Sequence, residues 1–425
     1  MTETGATSAG PLHGAAAARA RWAVATAFFV NGAAFASWVS RIPALRASLQ
    51  LTDGALGSVL FALSMGVLLS FPLASKGAQW LGARQLSLFS GLLTLVLLPM
   101  PFMIGIVPSL VLVLLEMGIA NGMMQVSMNV LAADVQARVG RPIMSSLHGL
   151  WSAGGLVGAG LGSVAAKAGF APWLHLSLVA LALGVALVAS AVASRGVFPR
   201  SVQPPPSQPS LGPRRWAGLD RVLVGLGVIC FCSFLTEGAL ADWSAVYLRD
   251  TADASESVAA LGYAVFAGAM TGMRLLGDLL LARLGMARML RAFNALGAVA
   301  LAVALLLARV DAAMVAFVVM GFGLATVVPS AYSAAARHAD DVARRDGDAA
   351  HPARAIALIS GFGYTGLLVG PPVVGWLAQA AGLGHALFLL VLLTAMIAAL
   401  VPLLDRRAAA RPHAGDRARK AAVAR

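Results

Sequence analysis

Charge, cysteine and tyrosine are scarce in this 425-residue chain: 12% of it is charged, and it holds two cysteines and four tyrosines. Soluble domains carry about 25% charged residues, so half that share argues against a chain bathed in water on every side. Cys230 and Cys232 share one apolar run. They supply neither a disulfide framework nor metal-ligand spacing. No Walker A loop, nucleophile–base pair or metal-ligand cluster is present, so ATP drive and a membrane-embedded enzyme both lack support and no cofactor is expected. Alternating apolar and polar residues are missing too, which leaves helices as the way across a bilayer.

What the chain has is hydrocarbon: 59% of its residues are hydrophobic. Apolar stretches of about 20 residues read as transmembrane helices. Twelve can be placed, at 22–40, 55–75, 85–106, 108–131, 145–167, 173–194, 222–248, 259–281, 288–308, 312–335, 355–379 and 384–404. The formal charge of +13 could point to nucleic acid, but the cations crowd onto one set of connections. The opposite set holds only Arg41, Arg46, Lys167, Arg249 and Arg309, and Arg274 lies deep within a span, away from either end. This asymmetry follows the positive-inside rule and predicts both termini in the cytoplasm. The Arg-rich tail has no interleaved aromatics, so nucleic acid is not an expected partner.

A Pro- and Ser-rich segment, "RSVQPPPSQPSLGPRR" (Arg200–Arg215), divides six spans from six and reads as a cytoplasmic linker. The expected organisation is a disordered N-terminus at 1–20, six-helix bundles at 21–195 and 219–405 about a linker at 196–218, and a basic tail at 406–425. The halves resemble each other. "NGAAFASW" (Asn31–Trp38) compares with "EGALADW" (Glu237–Trp243), "ALGSVLFA" (Ala55–Ala62) with "ALGYAVFA" (Ala260–Ala267), and "LGAR" (Leu81–Arg84) with "LGMAR" (Leu284–Arg288). Three matches in order suggest duplication, and paired six-helix repeats are one arrangement for alternating access.

Polar residues are unevenly shared among the spans. Spans three, six, nine and twelve hold no acid in their apolar cores and read as lipid-facing. Glu237, about 22 Å along span seven, is the principal candidate, as a proton-binding carboxylate or a substrate partner. Asp242 lies nearer the outer surface beside Trp243, a residue type favoured at the membrane interface, and reads equally as a surface, gate or substrate group. Glu116 on span four is half a turn out of phase with Gln125 and reads either as functional or as a structural partner for a cation such as Arg41. Asn121, Gln125 and Asn129 recur every four residues as one stripe, and Asn31 lies at similar depth; amides donate and accept, which suits hydroxylated cargo. Arg274 and Asp278, four apart on span eight, can pair in a conformational role. His148 titrates in a useful range, although a structural role comes first for a lone histidine. Gly154, Gly158 and Gly162 form a small-residue stripe for close helix packing.

The motifs "WVSRIPALRASLQLTDGALG" (Trp38–Gly57), "NGMMQVSMN" (Asn121–Asn129), "GRPIMSSLHGLWSAGGLVGA" (Gly140–Ala159), "EGALADWSAVYLRD" (Glu237–Asp250), "GLATVVPSAYSAAAR" (Gly323–Arg337) and "GYTGLLVGPPVVG" (Gly363–Gly375) carry a resemblance. Together with the six-plus-six repeat they resemble the major facilitator superfamily, in its fucose-permease-like branch and YbjJ-like group. The resemblance implies an all-α fold of two pseudo-symmetric six-helix bundles with spans one, four, seven and ten around a cavity. It implies a secondary transporter of the bacterial inner membrane, moving a small polar, sugar-like solute, often with protons, as a monomer in lipid. The chain departs from it at Gln125, where sugar symporters of the branch tend to carry a carboxylate, and at Gln79, where an acid is usual. The rival reading is proton-driven efflux of amphipathic or cationic drugs, since a buried acid also suits a cation; a passive facilitator is a further one.

Overall fold

The computed structural model describes residues 12–141, 143–198, 221–346 and 352–409, and among these the side chains of 145, 275–284, 286, 340–341, 343–346, 352–354 and 402–409 are not described. The Pro-rich linker and most of both expected tails lie outside the described residues. Among the described residues there is no strand. The first half comprises α1 (Gly14–Val39), α2 (Ile42–Ser48), α3 (Asp53–Leu81), α4 (Ala83–Leu97), α5 (Val107–Val139), α6 (Met144–Lys167) and α7 (Pro172–Ala193). The second comprises α8 (Arg221–Asp250), α9 (Glu256–Ala259), α10 (Gly262–Leu284), α11 (Met286–Leu307), α12 (Val310–Leu324), α13 (Val327–Asp346), α14 (Pro352–Ala381), α15 (Leu383–Ala386) and α16 (Phe388–Ala409).

Among the described residues, 11 helical stretches are long and apolar enough to cross a membrane. The remaining expected span, span eight at 259–281, coincides with α10, a helix of 23 residues. Two differences from the sequence reading have clear causes. Helix α1 starts at Gly14, inside the stretch expected to be disordered, because its first turns are alanine-rich and alanine is the best helix former. Span ten is broken at residues 325–326 into α12 and α13. Pro329 has no N–H to return to the carbonyl four residues back, Ala325, so the ladder opens there.

The same packing pattern occurs in both halves. Helix α1 pairs with α6 as α8 does with α14, and α5 packs on α3 and α4 as α12 does on α10 and α11. The turn in "LGAR" and "LGMAR" is also repeated: Gly82 sits at φ 79°, ψ 150° and Gly285 at φ 77°, ψ 146°. That left-handed φ is open to glycine without strain, so one residue reverses the chain between α3 and α4 and between α10 and α11. On α6 a Cβ at Gly154 or Gly158 would run into Phe29 O or Ala33 O of α1, and one at Gly162 into Oγ of Ser40 just past α1, which explains the glycine stripe as a seam of close approach. Helix α7 is apolar on all sides and turns Leu181 and Val185 outward, as a lipid-facing helix does.

The halves meet through α3 against α14 and α6 against α10. One end of the bundle carries the start of α1 and the break between α7 and α8; this is the linker end. Hydrogen bonds and ion pairs between the halves gather at the opposite, far end. There Gly54 N–H donates to Gln379 Oε1 at 3.3 Å, Trp376 Nε1 to Ser58 Oγ at 3.2 Å and Ser163 Oγ to Ser257 O at 2.7 Å.

Candidate functional site

Helix α8 has 30 residues, and Glu237 stands sixteen residues from its linker end, about 24 Å along an axis of about 45 Å. Its carboxylate is half-buried and forms no hydrogen bond or ion pair among the described residues. Arg274 of α10 lies within electrostatic range of it. The same guanidinium is felt by His148 of α6, in the other half. Arg274 and His148 are both exposed although each lies within a spanning helix, and they come within electrostatic range of each other from opposite halves, so the space between them is the candidate cleft. His148 is held edge-on to Phe28, with ring centroids 5.2 Å apart.

Arg274 has a second task. Its Nε donates to Ala325 O at 3.3 Å. That is the carbonyl Pro329 leaves free at the break in span ten, so one cation joins the neighbourhood of Glu237 to a discontinuous helix. Asp278, its expected partner, has a side chain outside the described ones.

The amides are brought together in part. Asn31 Nδ2 donates to Asn121 Oδ1 at 2.7 Å, and Trp151 Nε1 donates to Asn31 Oδ1 at 2.8 Å. Asn31 is buried and fully engaged; it ties α1, α5 and α6 together, and it is Asn121 and Trp151, half-buried beside it, that reach the cleft edge. Gln125 is half-buried with no hydrogen bond from its side chain among the described residues, whereas Asn129 turns back to donate to Gln125 O at 2.8 Å.

Aromatic rings also meet across the two halves. Phe35 stacks on Trp151 at 6.3 Å and meets Tyr263 of the second half edge-on at 5.8 Å. Phe71 meets Tyr364 of the second half at 5.2 Å, and Tyr364 stacks on Phe234. Tyr263 lies within electrostatic range of Glu237, Arg274 and Asp242. Asp242 is half-buried without a hydrogen bond or ion pair among the described residues, and at 100° per residue it points about 140° away from Glu237. Its neighbour Trp243 is not an interfacial residue: it is fully buried on the face that carries Tyr247, whose hydroxyl donates to Ala304 O of α11.

Beyond the rings, Arg41 occupies the junction of α1 and α2 with its side chain only 1% exposed. Its Nη1 donates to Glu256 Oε1 of the second half at 2.7 Å, its Nε to His175 Nδ1 at 3.3 Å and its Nη2 to Phe170 O at 3.4 Å. The expected partner, Glu116, is not there. It sits exposed on α5, on the side opposite Gln125, as their half-turn phase difference dictates. Arg46 bridges the halves as well, to Asp250, and lies 2.9 Å from Asp53 in its own half, an ion pair without a hydrogen bond to that oxygen. Sequence reasoning singled out neither Glu256 nor His175. The signal for Glu256 was the repeat: "SESVAALG" stands where "TDGALG" stands in the first half.

The Major Facilitator Superfamily pattern matches residues 24–345 of this chain. An MFS-type transporter of Yersinia pestis is 33% identical over 375 residues, which cover 88% of this chain and 92% of that protein. The transporter y4wD of Sinorhizobium fredii is 33% identical over 391 residues, 90% of this chain and 97% of its own. Among solved structures, the nucleoside transporter NupG has the same fold, with a TM-score of 0.67 and 13% identity over 91% of this chain and 98% of NupG. With two pseudo-symmetric helical halves around a cleft and a pattern match over most of its length, the chain belongs to the Major Facilitator Superfamily of membrane transporters.

Proposed function

We propose that this protein is a proton-coupled carrier of a small polar, sugar-like solute, of the fucose-permease-like branch and its YbjJ-like group, working by alternating access as a monomer in the bacterial inner membrane. The observation that carries the reading is Glu237: a carboxylate half-way along a spanning helix, at a cleft, with Arg274 in electrostatic range and no bonded partner among the described residues. Intramembrane acids are costly and are kept for function. The free amide capacity of Asn121 and Gln125 and the Trp151 ring beside it suit a hydroxylated ring, whose polar edge takes hydrogen bonds and whose face takes an aromatic. The cations crowd at the linker end, which the positive-inside rule assigns to the cytoplasm along with both termini. In that topology the far end is the periplasmic gate, and it is shut here. Arg41, Arg274, Asp278 and His148 serve the conformational change in this reading, while Asp242, Asn31, Asn129 and Glu116 complete the polar set of the spans.

The test is uptake of a solute library into reconstituted vesicles, with and without an inward proton gradient and an uncoupler. Glu237→Gln removes gradient-driven uptake and leaves the protein folded; uptake that keeps its pH dependence in this variant sinks the assignment. The unpaired Glu237 and Asp242 favour one second reading, efflux of a cationic amphiphile. Raised drug tolerance in an overexpressing strain, lost in Glu237→Gln, selects it.

A further inference from the structure

On the outer flank of the first half, α4 and α7 leave a shallow groove of about 650 Å³. Leu92, Leu95, Val96, Leu181 and Val185 wall it, and Gly184 leaves its floor bare. It runs from Ser177 to Ala189, about 18 Å along α7, the dimensions of an extended hydrocarbon chain and not of a polar solute. Its linker end stops beneath two cations. Arg84, at the start of α4, donates to Ala191 O of α7. Its Nε is buried without a partner, and neither it nor the exposed Arg195 just past α7 forms an ion pair among the described residues.

A hydrocarbon slot ending at two uncompensated guanidinium groups has the polarity of one bilayer component. We propose that the groove is a retained-lipid site for an anionic phospholipid, with an acyl chain along α7 and the phosphate on Arg84 and Arg195. Basic pockets between helices at a membrane face bind such headgroups, and each nearby cation strengthens the attraction about fivefold. A second copy of the chain fits the groove less well. Both copies would insert in one orientation, which would set one basic end against the other.

The experiment is native mass spectrometry of the detergent-purified full chain, titrated with phosphatidylglycerol or with phosphatidylcholine of the same acyl chains. One phosphatidylglycerol adduct survives where phosphatidylcholine has dissociated. Arg195→Gln, an exposed change, weakens that adduct about fivefold. Gly184→Leu fills the slot and removes the adduct; a Cβ there would meet Leu95 and Leu92 at 3.9 and 4.0 Å, ordinary contact distances. Equal retention of the two lipids, or an adduct indifferent to both variants, overturns the proposal. A dimer that Gly184→Leu dissolves also overturns it, in favour of a second copy.

Discussion

Replacing Glu256 by glutamine isolates the charge in the far-end gate. Glutamine keeps an acceptor oxygen in place of Oε1, so Arg41 retains three hydrogen-bond partners and loses only the anion. A hydrogen bond between charged groups contributes about 1.5–3 kcal/mol against about 0.5–1.5 for a neutral acceptor. The difference is about 1–1.5 kcal/mol. Glu256 is 40% exposed, so solvent screening puts the effect at the lower value, about 1 kcal/mol. Arg41 adds to the consequence in the same direction. Its side chain is 1% exposed while the gate is closed, so it holds a desolvated charge that regains water when the halves part. A bias of about 1 kcal/mol multiplies the open population about fivefold.

The assay is the distance between spin labels at Lys167 and Asp253, exposed positions in opposite halves beside the bridge. The native protein gives a short separation dominated by the closed gate. In Glu256→Gln a longer separation gains about fivefold in its ratio to the short one, and 1 M salt narrows the gap between the two proteins. An unchanged distribution in the variant would falsify the claim that this pair holds the far end shut.

Three further outcomes follow from the packing. Arg274→Ala strands Ala325 O and destabilises by about 1–3 kcal/mol; in a Pro329→Ala background, which returns an N–H to that carbonyl, thermal unfolding shows a smaller cost for the same change. Gly158→Ala drives a Cβ into Ala33 O and destabilises by about 1–3 kcal/mol, whereas Gly160→Ala, with nothing within 4 Å, is neutral or stabilising by about 0.5–1 kcal/mol; equal melting temperatures for the two would refute the seam. In vesicles carrying Glu237→Gln, counterflow exchange of the solute persists while gradient-driven accumulation stops, and loss of both together would make Glu237 a binding group alone.

What was legible in the sequence was what repeats locally. Hydrocarbon runs gave the spans, "LGAR" and "LGMAR" gave a repeat that the structure shows to be matched turns at Gly82 and Gly285, and the every-fourth glycines gave a close-packing stripe whose partner the structure shows to be α1. Contacts between distant positions were not legible. Arg41 and Glu256 are 215 residues apart, and no periodicity links them. Phase alone correctly turned Glu116 away from Gln125, but it could not say which acid Arg41 would meet. Trp243 misled because tryptophan prefers membrane interfaces on average; here its place on the Tyr247 face buries it. The break in span ten was written as Pro329, yet proline in a membrane helix tells of a missing bond without naming what replaces it. The replacement, Arg274, comes from another helix.

The polarity of the two far-end bridges matches the way the repeated halves differ in sequence. Thr52 and Ser255 open equivalent helices, each accepting a backbone N–H, from Ala55 at 3.3 Å and Val258 at 3.4 Å, and each followed by an acid in the first turn. Those acids suit the positive end of the helix dipole in either half. The arginines were not kept in both. At the repeat offset that aligns Trp38 with Trp243, Arg41 faces Val246 and Arg46 faces Thr251. The second half therefore holds Asp250 and Glu256 without those two cations of its own, and the first half supplies them across the interface in both bridges. Two bridges of one polarity that share no residue act as separate terms. Glu256→Gln combined with Asp250→Asn should shift the gate by the sum of the single changes, within about 0.5 kcal/mol, so the fold-changes in open population multiply. A combined effect no larger than the greater single one would mean that one bridge already governs the far end and that the other follows it.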